Sequence, residues 1–71
     1  MKLKQIREAK GVKQKAVANM LNITRQAYAR HEEKPWKMSI GEAAQVCEFL
    51  GIATKDVDDF SVPKDVIESH V

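Results

Sequence analysis

Turn-forming residues divide the chain into segments that are long enough only for short helices. Gly11, Asn22, Pro35 and Gly51 follow one another at intervals of 11 to 16 residues, and each favours a tight turn or the end of a helix. Between them, apolar residues recur at helical spacing, and no segment shows the strict alternation of a half-buried strand. The pattern predicts an all-α domain of five short helices.

Three of these helices are predicted before the proline. Apolar spacing marks helices over about residues 2–10, 14–21 and 24–33. Asn22 tolerates the left-handed backbone of a tight turn between the second and third helices, and Thr24 can cap the third. The predicted apolar positions of this part of the chain are Leu3, Ile6, Val17, Ala18, Leu21, Ile23, Ala27, Tyr28 and His31.

Two further helices are predicted after the proline. Ser39 and Glu42 have the spacing of a capping box at the start of the fourth helix, and Gly51 ends it. Thr54 is the expected cap of a short fifth helix, and we expect residues 61–71 to form a frayed tail or one docked turn. The predicted apolar positions are Ile40, Ala43, Ala44, Cys47 and Leu50 in the fourth helix, and Val57 and Phe60 in the fifth.

The charges are divided unevenly along the chain. Residues 1–37 hold ten Lys or Arg and three Asp or Glu, a net charge of +7, whereas residues 38–71 hold two bases and seven acids, a net charge of −5. A basic half favours a polyanion as partner, although an ordinary solvated surface gives the same count. A chain of 71 residues has room for one domain with a small core.

Residue types that carry catalysis or bind metals are sparse. Cys47 is the single cysteine, and with His31 and His70 as its partners it makes a poor metal set. His31 lies on an inward stripe, where packing explains it better than catalysis. The amino terminus has no continuous apolar stretch for a signal peptide or a membrane span. We therefore expect a cytoplasmic protein without catalytic residues, metal or cofactor.

The third helix carries the side chains best suited to reading DNA. Two short helices joined by a tight turn place the second of them where it can enter the major groove. Arg25, Gln26 and Arg30 share the outer face of that helix. An Arg can donate to O6 and N7 of guanine together, and a Gln can bond to N6 and N7 of adenine. The alternative is that these residues only keep the surface soluble.

The stretch GVKQKAVANMLNITRQAYARHEE resembles the helix-turn-helix of the Cro and C1 repressor family, also called the XRE family. The match runs without a gap over residues 11–34, and a looser resemblance covers about residues 2–60. It implies a lambda-repressor-like DNA-binding domain over residues 1–60, followed by the tail 61–71. The residues that carry the resemblance are Arg7, Gln14, Ala18, Asn22, Ile23 and Glu32.

The resemblance also implies roles for individual residues. Gln14 would donate to a DNA phosphate from the start of the second helix, which fixes the register on DNA without reading sequence. Arg7 and Glu32 would form a structural ion pair between the first and third helices. The residues expected to face bases are Arg25, Gln26 and Arg30, and those expected to flank phosphates with Gln14 are Lys13, Lys15, Lys34 and Lys37.

The function expected from this resemblance is sequence-specific regulation of transcription. The chain would act as a Cro-like phage or prophage repressor that occupies an operator, and a homodimer on half-sites about one helical turn apart would supply affinity. The sequence leaves two candidates for the dimer surface, which are the region of the fourth and fifth helices and the tail. The alternative is an antirepressor or antitoxin-like modulator that binds a repressor or another basic protein through the acidic carboxyl-terminal half, with Asp56, Asp58 and Asp59 as the residues to test.

Overall fold

The computed structural model describes residues 1–62, and in this part of the chain it contains four α-helices and three 3-10 turns. α2 packs against both α3 and α4. The tail predicted over residues 61–71 lies outside the described residues from residue 63 onward. The helices are α1 (Leu3–Ala9), α2 (Gln14–Leu21), α3 (Arg25–Glu33) and α4 (Ile40–Leu50), and the turns are Pro35–Lys37, Thr54–Asp56 and Asp58–Phe60.

The turn between α2 and α3 forms as its residue types require. Asn22 adopts the left-handed conformation with φ 60°, which an asparagine tolerates better than most side chains do. The Ile23 N–H then donates to the Ala18 carbonyl at 3.0 Å. The Thr24 hydroxyl accepts from the Ala27 N–H at 3.1 Å. The predicted turn and cap are confirmed, and they fix the direction in which α3 leaves α2.

α4 begins and ends at the predicted residues. The Glu42 N–H donates to Ser39 Oγ at 3.0 Å and the Ser39 N–H donates to Glu42 Oε1 at 3.2 Å, so the capping box is complete. Gly51 closes the helix with φ 71°. The Ile52 N–H then donates to the Cys47 carbonyl at 2.9 Å, which is the hydrogen bond of a left-handed helix end.

The core gathers one apolar face from each helix. Tyr28 lies fully buried at its centre, and the partly buried Ile23, Ile52 and Phe60 pack against its edge. Arg7 and Glu32 are the charged residues that are buried within residues 1–62. The buried apolar residues are Leu3, Ile6, Val17, Ala18, Tyr28, Met38, Val46, Cys47, Leu50 and Val57.

The apolar stripe predicted for α4 is wrong at two positions and omits a third. Ile40 is 90% exposed and Ala44 is also exposed, whereas Val46, which the stripe omitted, is buried. Ile40 is the first residue of α4, because the capping box fixes Ser39 as the cap. Helical spacing places a side chain on a face of the helix, but it does not tell where along the axis the core ends.

The predicted fifth helix is replaced by two 3-10 turns joined at an extended residue, Val57, with φ −101° and ψ 115°. The extended backbone directs this side chain into the core, where it is 5% exposed. Aspartates on both sides bind backbone groups, since the Ala53 N–H donates to Asp56 at 3.1 Å and the Leu3 N–H donates to Asp59 at 3.0 Å. Such bonds compete with a continuous helix.

Candidate nucleic-acid interface

The outer face of α3 presents three long polar side chains to solvent. Arg25, Gln26 and Arg30 are all exposed, while Tyr28 holds the opposite face of the helix in the core. Gln26 and Arg30, four residues apart, lie on the side of the helix away from Tyr28, whereas Arg25 is exposed as the first residue of α3. The predicted base-reading residues are therefore all accessible at the start and middle of α3.

A buried ion pair joins α1 to α3 beneath this face. Arg7 Nε donates to Glu32 Oε2, and Arg7 Nη2 donates to Glu32 Oε1 at 3.2 Å. The third arm of the guanidinium, Nη1, donates to the Val12 carbonyl at 2.7 Å. The fork of an arginine suits a carboxylate in this two-point geometry. The pair fixes α3 against α1 and the loop before α2.

The two charges of this pair hold each other ionised. Burial opposes the ionisation of Glu32, but hydrogen bonds from Arg7 and Gln14 outweigh it and hold the pKa of Glu32 below its ordinary value. The hydrogen bond to Glu32 in turn raises the pKa of Arg7. A buried carboxylate with such partners is stable as an anion.

Gln14 extends the buried pair to the surface of α3. Its Nε2 donates to Glu32 Oε1 at 3.0 Å, and its Oε1 accepts from Arg25 Nη1 at 3.2 Å. Both contacts require the same orientation of the amide, because only the nitrogen can donate and only the oxygen can accept. Arg25 is thereby tied at one end of its guanidinium, and the second N–H of the Gln14 amide stays available.

The predicted phosphate-contacting residues fall into two clusters. The first surrounds the start of α2 and forms a shallow basic groove with Arg25. The second lies where α3 ends and includes Arg30. Gln26 lines neither of them. The first cluster contains Lys13, Gln14, Lys15 and Arg25, and the second contains Arg30, His31, Glu33, Lys34 and Lys37.

Lys4 is a residue of the basic groove that the sequence reasoning missed. It lines this groove together with Arg7 and Glu8 of the same helix, and its side chain is exposed. The spacing of Lys4 and Arg7 contained the signal, because residues three apart in a helix are neighbours on its surface. α1 therefore contributes to the same surface as the start of α2.

The three aspartates that were expected to bind a partner protein each make a contact within their own chain. Asp56 accepts from the Ala53 N–H and Asp59 from the Leu3 N–H. Asp58 Oδ2 accepts from the Met1 amine at 2.7 Å. Asp56 thus holds the first turn of the segment after α4, and Asp58 and Asp59 attach this segment to the start of the chain.

His31 contacts a side chain of a neighbouring helix, and Cys47 is buried in the core. His31 Nε2 lies 3.2 Å from Glu42 Oε2, with both side chains partly exposed, and this contact connects α3 to the start of α4. The backbone N–H of Ser39 holds the pKa of Glu42 below its ordinary value. Burial raises the pKa of the Cys47 thiol, which keeps it protonated and weakly nucleophilic.

Within residues 1–62, none of the four helices is both long and apolar enough to cross a membrane. In the same part of the chain, no three His, Cys, Asp or Glu side chains come together as a set that could hold a metal ion.

A family model described as helix-turn-helix matches residues 3–57, which spans α1 to the first 3-10 turn after α4. No curated protein and no solved structure matched the chain. The matched family is a DNA-binding one without enzymatic activity, and its domains have the all-α, lambda-repressor-like fold. The chain belongs to the Cro/C1-type (XRE) helix-turn-helix family of DNA-binding domains.

Proposed function

We propose that this protein is a sequence-specific transcriptional regulator, a Cro-like phage or prophage repressor that acts in the cytoplasm by occupying an operator. The observation that carries this proposal is the exposed face of α3, where Arg25, Gln26 and Arg30 stand together above a buried polar support. A face built only for solubility has no need of such support. The proposed DNA-binding domain spans residues 1–60.

Two of these side chains are suited to reading base edges in the major groove. Arg25 donates to guanine O6 and N7, and Gln26 bonds to N6 and N7 of an adenine. Arg25 is held through Gln14, so less side-chain freedom is lost when it binds. Arg30 lies one turn further along α3 and contacts either a base or the adjoining backbone.

The two basic clusters are suited to the phosphates on either side of the groove. No side chain caps the start of α2, since Lys13 makes no such hydrogen bond. The first N–H groups of a helix have no partner inside the helix and attract an anion. Gln14 and Lys15 add donors at this end. Lys34 and Lys37 contact phosphates of the DNA strand that passes the end of α3.

We propose that two copies bind as a two-fold dimer, with half-sites about one helical turn of DNA apart. A single module buries a limited area of DNA, so dimerisation supplies affinity that one copy lacks. The segment after α4 and the tail are the surfaces assigned to this contact.

The alternative, an antirepressor or antitoxin-like modulator, has less support. Its motivation is the acidic half of the chain, and within that half the three aspartates named for the contact each bind a group of their own chain. Their place in the local structure accounts for them without a partner.

The test is a selection of duplexes from a random pool at one fixed salt concentration near the physiological value. We expect a palindromic or direct-repeat motif, and we expect the Arg25→Ala, Gln26→Ala double variant to lose it. Each bidentate base contact that is removed should cost about 1–3 kcal/mol. The matched control is Gln5→Ala, Lys10→Ala, since both residues are exposed and lie outside α2, α3 and the segment after α4.

The outcomes separate the alternatives. If the double variant and the control select the same motif as the parent chain, α3 is not the reading helix. If the parent chain retains DNA without any motif, or retains none, the regulator proposal fails, and capture of a basic repressor becomes the measurement to make.

A further inference from the structure

We propose that Lys4 of α1 contacts a DNA phosphate, so that the first helix is part of the DNA interface. This inference rests on the proposed function and adds a residue to its backbone contacts. It assigns to α1 a role besides packing the core through Leu3 and Ile6.

The position of Lys4 is the first ground. Lys4 lines the basic groove with Lys13, Lys15 and Arg25. It also lines the neighbouring groove, which runs beside α3 past Ala29 and is continued by Lys2 and Trp36. Gln14 lines both grooves. Lys4 therefore stands beside the residue that is expected to hold a phosphate at the start of α2.

The charge of the basic groove is the second ground. Its lining contains four exposed bases, Lys4, Lys13, Lys15 and Arg25, besides the buried Arg7, whose guanidinium is used by Glu32 and Val12. The acid in its lining is Glu8. Glu33 and Asp59 line the neighbouring groove instead. A phosphate is therefore better placed on the side of Lys4 that faces α2 than on the side that faces Trp36.

The third ground is that Lys4 forms no ion pair within residues 1–62. Its position on α1 is nevertheless fixed, because α1 is anchored by Leu3 in the core and by the Arg7 pair with Glu32. An unpaired ammonium on a rigid helix beside other bases is suited to bind a phosphate and release counterions.

The test compares Lys4→Gln with Lys10→Gln in the full chain. Both changes remove one positive charge from an exposed lysine, but Lys10 follows the other end of α1 and lies beside Ile52 and Asp56. Affinity for a fixed duplex is measured at several salt concentrations. For Lys4→Gln we expect the slope of log K against log salt to become less steep by about 0.9 for each bound copy, which is about a five- to tenfold loss of affinity per copy at 0.1 M salt. The loss should be alike for all sequences.

Glu8→Gln supplies a change of opposite sign in the same groove. This change removes the acid in the lining of the basic groove, so affinity for DNA should rise for every sequence. Glu48→Gln on α4 should leave the affinity for DNA unchanged. Urea unfolding of each variant checks that the fold is retained, as expected for exposed positions.

Two results would overturn the inference. If Lys4→Gln and Lys10→Gln have the same slope and affinity while Arg25→Ala still loses sequence preference, Lys4 makes no contact and the proposed function stands. If the parent chain binds no duplex at any salt concentration, both the inference and the proposed function fail.

Discussion

The region from α1 to α3 and the region from α4 to residue 62 use their charged residues differently. In the first region Glu32 is buried with Arg7 and bonded to it and to Gln14, so the two charges cancel and the exposed residues keep the whole net charge of residues 1–37, +7. In the second, carboxylates bind backbone N–H groups, as Asp56 does at Ala53. The acids that form contacts hold the fold, and most bases stay free for a partner.

The first prediction tests whether Glu32 is a structural acid, and it has the largest expected effect. Glu32→Gln removes the charge that balances Arg7 and leaves a buried guanidinium without its counter-ion. Breaking one partner of a buried pair costs about 3–5 kcal/mol, a large share of the free energy of unfolding of a small domain. Urea unfolding measures the loss.

Glu33→Gln is the matched control for this change. Glu33 is the next residue of α3 but is exposed, so its free energy of unfolding should stay within about 0.5 kcal/mol of the parent chain. Equal effects of the two changes would show that the buried network does not hold α1 and α3 together.

The second prediction tests the apolar packing of the other region. Leu50→Ala removes a side chain that is 4% exposed, and it should lower the free energy of unfolding by about 2–5 kcal/mol. Ile40→Ala removes an apolar side chain of equal size from the same helix, but one that lies in solvent. Its effect should stay within about 0.5 kcal/mol. A loss of similar size for Ile40 would mean that its side chain is covered in solution.

Helix boundaries were predictable wherever a local signal sets them. Asn22, Thr24, Ser39 and Gly51 each act through hydrogen bonds to residues close in sequence or through their own backbone conformation. The segment after α4 was not predictable in this way. Its conformation depends on Asp59 reaching the Leu3 N–H, a contact across 56 residues that no spacing within the segment reveals.

The candidate site was predictable to a different extent. The residues on the outer face of α3 follow from helical spacing and from the resemblance. The path from Glu32 through Gln14 to Arg25 was not predictable, because it depends on side-chain positions from two helices and on the orientation of one amide. Lys4 was missed because a count of charges treats every lysine of the basic half alike.

A change of pH is expected to have a smaller effect on the free energy of unfolding, and this effect also differs between the two regions. The folded-state pKa of Glu32 lies below the ordinary carboxyl value of 4.5. Its contribution to the free energy of unfolding is therefore complete above that pH, and it is lost as the pH falls through the lowered pKa. Glu42 contributes in the same direction at the start of α4.

Urea unfolding between about pH 6 and about pH 2 measures this dependence. Glu32→Gln should remove much of the acid loss, because the variant has no carboxyl to titrate at this position, and Glu42→Gln should remove less. The reverse order would place the acid-sensitive contact at the start of α4 instead of between α1 and α3.

The smallest predicted effects come from the two helix caps, one in each region. Thr24→Ala and Ser39→Ala each remove a hydroxyl that accepts from a backbone N–H, at 3.1 Å and 3.0 Å respectively, and each should cost about 1 kcal/mol of stability. Because the two variants should lose equal stability, a difference between them in DNA binding cannot come from unfolding. DNA binding is therefore compared at a temperature where both variants are folded. Thr24 fixes the first turn of α3 beside Arg25 and Gln26, so its loss should weaken sequence preference, whereas the loss of Ser39 should not. If both variants select the same motif equally well, the start of α3 is held by the Gln14 contact to Arg25, and the cap contributes only to stability.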